Sequence, residues 1–163
     1  MRGASTTPPR IASTHTPFRF WPPGRPANTF APFGSSIALG PGPVYPVVDV
    51  DPPYDPAAPA AHVALDRSHL PQGGWYAFKA LWIIRPSYRG PVLIRGGRID
   101  SHGQLRFDRD ANPSRVIVIA RQTLRLTTWR NRPSATRLRG PGCYAYQIDG
   151  LTFSKVIVFR ADW

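Results

Sequence analysis

The residue pattern with the clearest chemical use in this chain is arginine beside an aromatic ring. Trp82 stands near Arg85, Tyr88 adjoins Arg89, and Trp129 is followed by Arg130 and Arg132. A guanidinium fork pairs bidentately with phosphate or carboxylate, and an exposed ring stacks on a base or a sugar. Arg95, Arg98, Trp129, Arg130 and Arg132 are therefore the candidate ligand-binding residues. They form a site only if folding brings the four guanidinium groups together on one concave patch. Trp82 has a competing use as a core residue.

Other chemistry finds weaker footing. Asp108, Asp110 and Asn112 match the opening of a calcium loop, but Pro113 replaces the required glycine and Ile119 replaces the bidentate glutamate. That stretch reads as a turn. Asp49, Asp51 and Asp55 form a loose acidic cluster without a metal-binding pattern. His15, His62, His69 and His102 lack zinc spacing, and Cys143 is the single cysteine. Its place in a strand reads as a small buried apolar side chain. There is no G-x-S-x-G elbow, no phosphate-binding loop, and no aspartate pair marked out for glycoside hydrolysis. The expectation is a chain that is not an enzyme and uses neither metal nor cofactor.

The net charge is +12, carried by arginine except at Lys79 and Lys155, and all nine acids are aspartate. Such a balance favours polyanions, though a solvated basic surface satisfies it equally. The expected partner is an anionic envelope polymer or another protein, with nucleic acid as the alternative. The longest apolar run, Trp75–Ile84, is half the length of a spanning helix and contains Lys79, so no transmembrane span is expected. The first residues contain no continuous apolar core of a signal peptide.

Positioning any of these residues falls to a chain with two textures. Fourteen of the twenty prolines lie within residues 1–59, and four of the five tryptophans lie from Trp75 onward. Residues 1–60 read as a Pro-rich, largely irregular arm, with Phe18, Phe20, Trp21, Phe30 and Phe33 interspersed, a short strand at Ser36–Leu39 and a Pro/Ala linker over Asp51–Ala61. Residues 61–163 read as one domain. Val63 and Leu65 open it, and Trp75–Ile84 reads as a central strand covered on both faces. Val92–Gly97, Gln104–Phe107, Arg115–Ile119, Thr123–Trp129 and Ala135–Arg139 follow as short strands. Gly96-Gly97 suits a bulge or a close backbone approach.

Gly140–Ala161 closes the domain as a hairpin at Asp149-Gly150. A two-residue and a four-residue loop preserve the same parity. One face then carries Tyr144, Tyr146 and Ile148 against Leu151, Phe153, Ile157 and Phe159. The other carries Cys143, Ala145 and Gln147 with Thr152, Ser154, Val156 and Val158. Lys155 falls on the core face opposite Tyr144, either snorkelling to the sheet edge or displaced by a bulge. Seven to eight short strands separated by turns predict an all-β antiparallel sandwich.

Thr136–Tyr146, TRLRGPGCYAY, resembles the corner and penultimate strand of an immunoglobulin-like sandwich, with Leu138, Pro141, Gly142 and Tyr144 in the corner roles. The paired cysteines of antibody domains are missing. Residues 75–161 further resemble an uncharacterised family of exported immunoglobulin-like domains of soil bacteria. This likeness rests on LWIIRPSYRGPVLIRGGRID, WRNRPSATRL and GPGCYAYQIDGLTFSKVIVFRA. It implies a non-enzymatic binding or structural domain, secreted or tethered to the cell envelope, and a start site that is misplaced or truncated. The alternatives are a cytoplasmic nucleic-acid-binding module and, third, an envelope hydrolase.

Overall fold

The computed structural model describes residues 36–49, 60–66, 68, 73–124 and 127–163, which form ten strands and no helix. These are β1 (Ser36–Ala38), β2 (Val44–Asp49), β3 (Ala61–Ala64), β4 (Tyr76–Ile84) and β5 (Val92–Arg98). The chain continues through β6 (Arg106–Phe107), β7 (Val116–Ile119), β8 (Arg130–Leu138), β9 (Gly142–Asp149) and β10 (Ser154–Asp162). They build two five-stranded sheets, ordered β1-β2-β4-β8-β6 and β3-β10-β9-β5-β7. The expected arm over residues 1–35 and most of the 51–61 linker lie outside the described residues.

The two sheets pack face to face around aromatic side chains. Trp82 of β4 meets Tyr146 of β9 edge-on at 5.0 Å, and Phe78 meets Phe159 of β10 at 5.7 Å. Ile84, Ile94, Leu138, Tyr144 and Ile148 are buried with them. Burying a side chain of this size contributes about 1.5–3 kcal/mol. Period-2 alternation accounts for which residues enter: β9 sends Tyr144, Tyr146 and Ile148 inward and keeps Cys143 and Gln147 on the outer face, both half-buried.

The closing hairpin has a four-residue loop, since Asp149 pairs with Ser154 and Gly142 with Ala161 without interruption. Both expected faces therefore form along the paired strands, but Leu151, Thr152 and Phe153 sit in the loop, Leu151 being 70% exposed while Phe153 still packs against the core. Lys155 pairs with Ile148, not Tyr144, and the unbroken register leaves no bulge there. Cys143 is half-buried on the outer face, not a core residue.

The sandwich takes in more of the chain than expected. β2 pairs with both β1 and β4, and Val44, Tyr45, Val47 and Val48 are buried. The boundary expected at residue 61 thus falls inside the sheet-forming part of the chain. Of the strand expected at Thr123–Trp129, residues 123, 124 and 127–129 are outside any strand and Leu124 is exposed, whereas the strand expected at Ala135–Arg139 is β8, which begins earlier, at Arg130. The sheets are also not wholly antiparallel, because β3 runs parallel to β10.

β4 lies between β2 and β8, as a central strand should, but its second half alone is covered on both faces. Ala80, Trp82 and Ile84 face the core, while Ile83 joins Ala38, Tyr45 and Val47 in a small cluster on the outer side. Ala77 and Lys79, nearer the start of the strand, are exposed on that same outer side.

Candidate anion-binding face

The candidate arginines are placed by different strands. Arg95 points outward from β5, with Nη2 3.2 Å from Asp149 Oδ2 and Nε donating to Gln147 Oε1 at 3.3 Å. Arg98, at the end of β5, lies over the Tyr144 ring at 5.8 Å and donates from Nε to Asp100 Oδ1 at 2.6 Å. That hydrogen bond, followed by one from the Cys143 backbone N–H at 2.9 Å, holds the Asp100 carboxyl below its usual range. The Arg98–Asp100 bond in turn raises Arg98.

The others belong to the opposite sheet. Trp129, 38% exposed, precedes β8 and stands 5.9 Å from the Tyr45 ring. Arg130 donates to the carbonyls of Ala120 at 3.2 Å and Tyr88 at 3.0 Å, so it ties loops together. Arg132 donates to Asp108 Oδ2 at 3.1 Å. Arg95 and Arg98 therefore stand on β5, apart from the β8 group in the other sheet, and all four guanidinium groups are engaged within the protein. The condition for a site, one patch holding all four, is not met by residues on strands of opposite sheets.

A different set of arginines does come together, on the outer side of the first sheet. Arg106 of β6 pairs with Arg137 of β8, and Arg137 pairs with Ala77 of β4. On the other side of β6, Phe107 and Ser114 exchange both backbone hydrogen bonds, at 2.9 and 3.0 Å. Arg115 follows Ser114 in a bend, and its charge bears on Arg106. Two arginines, Arg106 and Arg137, thus stand directly opposite one another across strands, with Arg115 beside them in the bend that follows. Like charges set directly opposite one another are destabilising in a sheet.

Each member is held differently. Arg137 is buried, and its Nε donates to the Asp108 carbonyl at 2.8 Å. Arg106 is half-buried, donating to Gln104 Oε1 at 2.5 Å and to the Leu105 carbonyl at 3.3 Å. Burial, and then the charges of Arg115 and Arg139, lower its pKa from the ordinary arginine value. Arg115 is exposed. Arg139 continues the outer side of β8, where its guanidinium lies 3.9 Å from the centre of the Trp75 ring and donates to the Gly73 carbonyl at 2.7 Å. Lys79 extends the positive face along β4.

Sequence reasoning missed this set because its members are scattered along the chain and meet only in the fold. The signal within reach was Arg137-Leu138-Arg139, whose alternation puts two arginines on one face of a strand with a core leucine between them. A guanidinium fork matches carboxylate, sulfate or phosphate, but Arg137 is buried and Arg106 and Arg139 are engaged within the protein, so Arg115 is the exposed member of the set. Among the described residues, no group of three or more His, Cys or Asp side chains could hold a metal ion. Among the described residues there is no helix, and so none long and apolar enough to cross a membrane. Models of known protein families, curated proteins and solved structures were compared with the chain, and none of them matches it.

Proposed function

We propose that the chain is a non-enzymatic, immunoglobulin-like domain, exported or tethered at the cell envelope, whose work is binding or scaffolding. One observation carries the reading: the Tyr144 hydroxyl donates to the Gly140 carbonyl at 2.8 Å, four residues upstream, where the chain passes from β8 to β9 and so from one sheet to the other. A tyrosine tied back to the backbone at that crossing is a recurrent corner of immunoglobulin-like sandwiches. The strand orders support it. β2-β4-β8-β6 follows the A-B-E-D order, and β10-β9-β5 follows G-F-C. One departure stands out: β6 pairs with β8 before the chain returns to form β7 beside β5.

The envelope placement rests on the likeness of residues 75–161 to exported domains. Fractionating the cells that make the protein, with an antibody raised against the folded domain, tests it. Recovery from the envelope or medium is the expected result, and recovery from the cytoplasm alone overturns it. The second reading, a nucleic-acid-binding module, draws on the stacked Arg139–Trp75 pair.

A further inference from the structure

We propose that the outer face of the second sheet, across β10, β9, β5 and β7, is the surface through which two copies of this chain pair as a two-fold dimer; this goes beyond the envelope reading and stands without it. Three features of the face lead there.

The first is exposed apolar surface. Alternation turns Leu93, Val116, Val118, Val156 and Val158 outward. The register sets Val118 beside Leu93, and puts Val156 and Val116 at the two ends of one cross-strand row. Val158, Ala145 and Gly97 form the next row. Val118 is 68% exposed, and Val116 and Val156 are exposed as well. No outward strand position of the first sheet exposes a large apolar side chain to this degree. Apolar surface gathered on one face in this way marks a protein interface.

The second is local neutrality in a chain of net charge +12. The titratable charges at outward positions of the second sheet's strands are Arg95, Asp149, Arg160 and Asp162, with His62 beside the last. Arg95 pairs with Asp149 at 3.2 Å, and Asp162 pairs with Arg160 at 2.9 Å and His62 at 3.0 Å. The outward strand positions of the first sheet instead hold Lys79, Arg106 and Arg137 against Asp49 alone. Two strongly basic copies meet least repulsion where their facing charges cancel.

The third is that the face suits its own image. Two-fold pairing sets a patch against the same patch on the other copy. Arg95 and Asp149 stand on neighbouring strands between the valines of β10 and those of β7, and Gln147 Nε2 also donates to Asp149 Oδ1 at 3.1 Å. The half turn can bring Arg95 of each copy toward Asp149 of the other, while the valines on both flanks meet valines. Gly97 leaves room for the approach, since even a Cβ there would meet nothing within 4 Å.

The test is analytical sedimentation of the full chain over a concentration series, at low and at raised salt. A monomer–dimer equilibrium is expected. It should tighten as salt rises, because screening removes the repulsion between two net charges while the interface itself is neutral and apolar. Val118→Asp and Val156→Asp should each weaken the dimer about tenfold or more, by placing an unpaired charge in the contact. Leu124→Asp is the control: Leu124 is 68% exposed like Val118 but lies outside the strands, and its change should leave the equilibrium within twofold. All three side chains are exposed, and circular dichroism of each variant establishes that it is folded. A chain that stays monomeric at every concentration, a dimer that loosens as salt rises, or equal weakening by Leu124→Asp would each overturn the proposal. So would a dimer that Val118→Asp breaks and Val156→Asp leaves intact, which would assign the contact to the β7 edge.

Discussion

The hydroxyls of Thr136 and Tyr146 stand 2.6 Å apart in the centre of the core, joining β8 of one sheet to β9 of the other. Both residues are fully buried, and burial pushes the Tyr146 hydroxyl well above its usual pKa. Removing one partner strands the other without water. Thr136→Val and Tyr146→Phe should each cost about 1–3 kcal/mol in urea unfolding. The double variant should cost less than the two added, because no orphaned hydroxyl is left. Strict additivity would show that the bond contributes nothing.

Tyr144→Phe separates the corner hydrogen bond from the packing of the ring. The ring stacks on Phe159 at 5.8 Å and keeps that contact, while the buried Gly140 carbonyl loses its donor. A loss of about 1–3 kcal/mol with an unchanged urea m-value is expected. A variant as stable as the parent would remove the corner from the list of what holds the two sheets together.

Asp100 should leave a signature in acid. Its carboxyl is held below the usual range by Arg98 first and by the Cys143 N–H second. A lowered folded pKa gives stability that is complete above the unfolded value, about 3.9, and is lost as pH falls through the folded value. The difference in urea midpoint between parent and Asp100→Asn should be level from pH 5 to 8 and shrink below about pH 4. A difference that persists unchanged to pH 2 would assign it to shape, not charge.

Adjacent glycines of β5 should respond in opposite ways. A Cβ at Gly96 would come 2.7 Å from the Ala145 carbonyl oxygen and 3.0 Å from Leu105, whereas one at Gly97 meets nothing within 4 Å. Gly96→Ala should destabilise by about 1–3 kcal/mol. Gly97→Ala should be neutral or stabilise by up to about 1 kcal/mol through the unfolded chain. Thermal melts of the two variants side by side decide it.

The elements legible from sequence were those whose alternation is regular. Tyr144, Tyr146, Ile148, Ile157 and Phe159 declare a core face that needs no knowledge of loop length, and the Gly96 close approach follows from two glycines in a strand. The hidden strands contain proline. Pro46 interrupts Val44–Asp49, yet its carbonyl accepts from Leu39 N–H at 3.0 Å. In an antiparallel ladder a residue's N–H and C=O point the same way, so the missing donor faces the residue just past the end of β1 and costs β4 nothing. Pro133 similarly sits in β8 beyond the reach of two-residue β6, where β8 is an edge.

The candidate site was less legible, for a physical reason. Trp129, Arg130 and Arg132 adjoin in sequence but satisfy local partners, as Arg130 does with the Tyr88 and Ala120 carbonyls. Arg106 and Arg137 share no local pattern and become neighbours only through register, which depends on where β6 pairs.

The parallel pairing of β3 with β10 bears on how the domain carries mechanical load. Ala61 sits beside Phe159 and Ala64 beside Asp162, with Leu65 N–H donating to the Asp162 carbonyl at 2.7 Å. Tension between the start of β3 and the chain's last residue pulls the two strands lengthwise in opposite senses. Their hydrogen bonds are then strained together and must rupture together, whereas a hairpin pulled at its open end peels apart bond by bond. Along that line of pull the edge of the second sheet acts as a clasp.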